Sequence, residues 1–234
     1  MEIINPDKNK FLYSLLFPLL FIAILWIIEI IKEVYHLNFI ENFGIIPLKA
    51  SGLLGIIFSP LIHSGYPHLY SNTIPIIITG TILFYFYNEI AYQVFFLVYF
   101  LTGIWVWLFA RDASHIGASG LVYGFVSFIF FSGIIRRNNQ LMALSLLMVF
   151  LYGSSIWGIF PHFFPQENIS WESHLMGLIA GFILSVFFRK KGMQRIVYDW
   201  EFEEDDETDR ESNLKIIYYR KEDEENKNIS DEKE

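Results

Sequence analysis

The dominant pattern along this chain is long apolar stretches parted by short polar ones. A helix needs about 20 residues to cross roughly 30 Å of hydrocarbon, and stretches of that order recur near residues 11–31, 67–87, 91–110, 117–135, 141–160 and 174–189. They predict six membrane-spanning helices. The fourth and sixth open on small or polar residues, Gly117 and His174, and are expected to begin below the membrane surface. The first is too long for the core of a signal peptide and no small-residue cleavage site follows it, so it reads as a retained anchor. Between the first two spans, Leu53, Leu54, Ile56, Ile57, Phe58, Leu61 and Ile62 crowd together. That loop is too apolar for a solvated linker and suits the outer interface. The predicted fold is an all-α membrane protein, with a six-helix domain over residues 1–195 and a separate tail over 196–234.

Composition agrees, and charge adds a direction. Hydrophobic residues make up 53% of the chain and aromatic residues 18%, which excludes secreted, disordered and DNA-binding classes and leaves no role for a nucleic-acid partner. The net charge of −8 belongs to the tail: residues 199–234 hold 16 acidic and 6 basic residues, against 9 and 11 in all the rest. With one short apolar patch, Ile216 to Tyr219, the tail reads as a disordered or weakly structured cytoplasmic appendage. Lys8, Lys10, Arg136, Arg137, Arg189, Lys190, Lys191 and Arg195 fall on one side if the spans alternate, and only Lys32, Lys49 and Arg111 on the other. Both termini are therefore expected in the cytoplasm, and the second, fourth and sixth spans run from outside to inside. The chain has no cysteine, so any nucleophile is an oxygen or an amine.

Polar side chains inside spans are costly enough that each calls for a function. His68 and Asn72 in the second span, Ser119 in the fourth and His174 in the sixth all lie near the start of outside-to-inside helices, at similar shallow depth. Two small-xxx-small pairs, Gly120 with Gly124 and Gly177 with Gly181, would let the fourth and sixth spans pack closely. Ser119 and His174 sit just above those pairs, where an imidazole can take the hydroxyl proton and make serine a nucleophile. His68 and Asn72 are four apart, hence on one helix face. With the backbone N–H of Ser119 they could donate to the oxyanion of an attacked carbonyl. Tyr123, one turn below Ser119, could brace the imidazole. Singly, each residue is better explained by packing or by an interfacial position; the four together point to chemistry.

The motif Gly117-Ala118-Ser119-Gly120 followed by Tyr123, the motif His174-x-x-Gly177-x-x-x-Gly181, and His63, His68 and Asn72 at spacings of five and four resemble those of the rhomboid intramembrane serine proteases. The resemblance covers roughly residues 10–190. It implies a Ser119/His174 dyad with no catalytic carboxylate and no cofactor, an oxyanion site involving His68 and Asn72, and cleavage of membrane-anchored proteins near the outer face of the bilayer. It also implies a lateral opening near the fifth span, a capping loop at 161–173 and, for this chain, residence in a bacterial cytoplasmic membrane. The Trp-Arg pair that many relatives carry in the first loop is absent here.

Other candidates carry less. Glu172, two residues before His174, would point elsewhere on a continuous helix. His115 reads as a solvated residue of a short outer loop. His63, His68 and His174 are conceivable metal ligands, but no H-E-x-x-H motif accompanies them, and no metal site is expected. The rival functions are a catalytically silent relative that escorts membrane segments, and a transporter; the second would place charged or broken helices near the midplane.

Overall fold

The computed structural model describes residues 6–37, 42–160 and 170–195. The acidic tail and most of the expected capping loop lie outside them. Seven α-helices occur within these residues: α1 Pro6–Val34, α2 Gly55–Phe58, α3 Tyr66–Phe86, α4 Ala91–Phe109, α5 Ser119–Arg136, α6 Asn139–Tyr152 and α7 Trp171–Phe187. The only extended pairing described is an isolated bridge between Ile45 and His115.

Four helices, α1, α3, α4 and α5, are long and apolar enough to cross a membrane. The remaining two of the six expected are shorter, α6 with 14 residues and α7 with 17, or about 21 and 26 Å at 1.5 Å per residue. The fifth predicted span is not one continuous α-helix. It leaves α geometry after Tyr152 and continues as a 3-10 turn, Gly153–Ile159, because Gly153, Ser154 and Ser155 are weak helix formers. The faces turned away from the bundle carry large apolar side chains, with Phe150 83% exposed and Phe187 72%. A surface of that kind is compatible with lipid and not with water, and the chain is an integral membrane protein.

The helices meet where side chains are small. A Cβ on Gly177 would lie 2.1 Å from the Gly120 carbonyl oxygen, and one on Gly181 2.1 Å from that of Gly124, so α7 and α5 touch backbone to backbone. The close approach also brings the Ser127 hydroxyl within 2.7 Å of the Leu178 carbonyl. Gly133 admits α6 in the same way, with Ser145 donating to the Phe130 carbonyl at 2.7 Å. On the other flank Gly80 of α3 faces Pro18 of α1, and Trp26 donates to Thr73 at 3.1 Å. An aromatic cluster of Phe17, Phe84, Phe95 and Phe125 fills the space between α1, α3, α4 and α5.

Two basic residues used to orient the chain are not solvated flanks. Arg136 is 4% exposed; it donates to the carbonyls of Phe188 and Met193 at 2.9 and 3.2 Å and stands over the Tyr87 ring. It thereby holds the segment after α7 against the end of α5. Lys32 is also buried. The apolar first loop folds beside α4, where Tyr99 donates to the Ile57 carbonyl and Trp107 to that of Lys49, while Leu53, Leu54 and Ile57 remain exposed.

Candidate active site

The site begins at a break in the backbone. Gly117 has φ of 105°, a region that favours glycine, and its N–H donates to the Ser59 carbonyl at 2.9 Å. The chain therefore turns sharply and α5 starts at Ser119, two residues later than the apolar pattern suggests. Its hydroxyl lies 2.9 Å from Nε2 of His174, in the first turn of α7, whose start is capped by Ser170.

The other ring nitrogen decides what that contact can do. His174 Nδ1 is 3.1 Å from the carbonyl oxygen of Gly158, which only accepts, so Nδ1 carries the proton and Nε2 presents a lone pair to the serine. This is the tautomer that can remove a hydroxyl proton. Tyr123 stacks flat on the imidazole, with ring centroids 4.2 Å apart and planes 9° from parallel. Gly158 fits tightly here, since a Cβ would sit 2.5 Å from the Tyr123 hydroxyl and 3.3 Å from His174 Nδ1. Gly158 is not marked in the sequence, because any residue offers a carbonyl; the available signal was a second glycine near the end of the fifth apolar stretch, after Gly153.

His68 and Asn72 lie on α3 beside this pair. The Ser64 N–H points at His68 Nδ1 from 3.5 Å, with the Ser64 hydroxyl 3.1 Å away. Nδ1 is then the acceptor and Nε2 carries the hydrogen. That edge of the ring faces Gly117, where an added Cβ would come within 2.7 Å of Nε2. Asn72 is buried, and its amide donates to the His68 carbonyl at 3.1 Å, leaving one of its two N–H groups for other use. His63 packs behind them, wholly buried, with its ring 5.0 Å from that of His68. Burial, reinforced by His68 and Lys32 nearby, pushes the His63 pKa down to about 3. Kept neutral by its burial, the ring packs as a wall behind His68.

Two peripheral residues behave differently from one another. Glu172 points away from His174, as its spacing predicts, and pairs with Arg111 at 3.4 Å. His115 is not solvated. It is 2% exposed, its Nδ1 is 2.7 Å from the Ser170 hydroxyl and its Nε2 is 3.1 Å from the Arg111 carbonyl. The bridge to Ile45 draws the first loop over it, a long-range pairing that loop length alone does not reveal. Among the described residues no group of three or more His, Asp or Glu could hold a metal ion. An apolar groove of about 410 Å³ runs between α5, α6 and α7, lined by Tyr123, Val126, Phe130, Met148, Tyr152 and Leu178.

The model of a family described as Rhomboid domain matches residues 50–191. Uncharacterized proteins of Mycobacterium tuberculosis and Mycobacterium bovis are each 33% identical over 171 residues, 70% of this chain and 71% of theirs. One from Mycobacterium leprae is 31% identical over 172 residues, 70% of this chain and 67% of its own.

Proposed function

The chain belongs to the rhomboid family, and on that premise we propose that it is an intramembrane serine endopeptidase that cuts membrane-anchored proteins near the outer face of the bilayer. The observation that carries this reading is the Ser119–His174 contact at 2.9 Å, with the base held in its accepting tautomer by Gly158. Ser119 Oγ attacks the scissile carbonyl while its proton passes to His174 Nε2. Negative charge gathers on the carbonyl oxygen, where His68 Nε2–H, the free N–H of Asn72 and the Ser119 backbone N–H can donate. Collapse expels the amine, which takes the proton from His174, and leaves an acyl group on Ser119. Water deprotonated by the same imidazole then releases the product. No cofactor is needed for these steps.

The substrates are transmembrane segments entering from the lipid, and the groove beside α6 supports a lateral route at that helix. The basic flanks support cytoplasmic termini, with the start of α5 on the outer side, and the mycobacterial relatives support a bacterial cytoplasmic membrane. The acidic tail is an appendage of the cytoplasmic side and supplies no residue to the chemistry.

The direct test is to treat the detergent-purified chain with a fluorophosphonate probe, map the labelled residue and assay a single-span substrate. Label on Ser119 together with cleavage is expected. Binding of the substrate with neither label nor cleavage would favour the silent escort.

A second test concerns the donors. His68→Ala or Asn72→Ala should lower kcat more than it raises KM, by up to about 10²–10³-fold for loss of one strong donor. An unchanged kcat in both variants would remove these residues from the oxyanion site.

A further inference from the structure

A second polar cluster lies on the other side of His63. Glu29 and Lys32 of α1 are 1% and 4% exposed, and their charged groups are 2.9 Å apart. The more exposed Glu33 stands 3.8 Å from the same ammonium. A buried ion pair is a poor way to stabilise a membrane helix, since well-packed apolar side chains of similar volume usually do as well or better. Its geometry points to another use. Lys32 Nζ reaches out of α1 and donates to the backbone carbonyl of His63 at 2.5 Å.

That carbonyl belongs to the short segment that joins the first loop to α3. From it the contacts run in one direction. The His63 ring meets the His68 ring edge to face at 5.0 Å, Ser64 holds His68 Nδ1, and the far edge of His68 fills the space beside Gly117. On its other side the segment is held by Gly117 N–H at the Ser59 carbonyl. Two helices thus grip the same few residues, α1 through Lys32 and the start of α5 through Gly117, and His68 is set between them.

We propose that Glu29 and Lys32 are positioning residues for the active site: the carboxylate orients the ammonium, and the ammonium fixes the His63 carbonyl, so that His68 is held against the serine-bearing turn. The proposal rests on the protease reading for its effect on rate. It does not place Lys32 in contact with substrate.

The test uses the purified full chain and the double variant Glu29→Gln/Lys32→Met, which removes both charges with little change of volume and leaves no buried charge unpaired. Expected are a melting temperature near that of the wild type, a KM within about twofold, and a kcat lower by about tenfold. Lys32→Arg, which keeps a cationic donor, should recover most of that loss. Amide hydrogen exchange should quicken at residues 59–68 and at Gly117 while the α5–α7 contact stays protected. A folded double variant with wild-type kcat and wild-type exchange would overturn the proposal, and so would a loss shared by KM, melting temperature and exchange throughout the bundle.

Should the double variant not fold, Glu29→Gln alone carries the test. It leaves Lys32 without its orienting carboxylate and should lower kcat at least threefold at constant KM; an unchanged kcat rejects the role. A wild-type chain that cleaves nothing would sink the protease reading, and the exchange comparison then decides the positioning claim by itself.

Discussion

Alanine in place of Ser119 should leave a single-span substrate uncut in an assay where the wild-type chain cleaves it, a fall of about 10⁴-fold or more. The hydroxyl is the nucleophile in the proposed reaction, and no thiol exists to substitute for it in a chain without cysteine. Its removal deletes one oxygen from a half-buried position at the start of α5, so the fold should survive with a melting temperature close to wild type. Wild-type turnover in the purified variant would dismiss Ser119 as the nucleophile and the dyad with it.

The second large effect should come from a residue with no chemistry of its own. Gly177→Val puts a branched side chain where even a single added carbon would lie 2.1 Å from the Gly120 carbonyl oxygen and 3.2 Å from its Cα. Those atoms belong to the backbone of α5 and cannot rotate away. The helices must separate, and His174, one turn above Gly177 on α7, moves with its helix. A displacement of about 1 Å at a reacting pair is enough to cost about 10²-fold, so kcat/KM should fall by at least that factor while the melting temperature drops. Gly181→Val should behave alike, since its added carbon would meet the Gly124 carbonyl and the Phe128 amide. Full activity and an unchanged melting temperature in both variants would show that the helices do not meet through these glycines.

The spans are legible in the chain because lipid demands long apolar stretches, and charge within them is rare. The same scarcity makes Ser119, His174, His68 and Asn72 conspicuous, while the glycine spacing indicates which two helices approach. What escapes is the work of backbone groups. The acceptor that sets the His174 tautomer is a carbonyl of Gly158, the anchor for Lys32 is a carbonyl of His63, and neither bears a side-chain signature. Flanking charges mislead for a related reason. Arg136 and Lys32 sit where solvated cations belong, but residues far away in the chain supply carbonyls that draw both inward. His115 is hidden by the same kind of partner, a strand-like bridge from Ile45 that no local pattern announces. The end of α6 departs from a plain twenty-residue span because Gly153 and the serines after it weaken the helix before the apolar stretch is finished.

The Gly158 carbonyl also sets the character of the base. A carboxylate in that place would steady the imidazolium with a full negative charge, but it would be an ionised group sunk below the membrane surface, costly whether or not a substrate is bound. A carbonyl is a dipole and carries no such standing cost. In the proposed reaction a transient cation on His174 would be steadied less, and each proton transfer would have a higher hill to climb. If Ser119 and His174 react as proposed, such a site trades speed for the ability to rest, uncharged, among lipids, and a turnover slower than that of a carboxylate-backed dyad is the expected result.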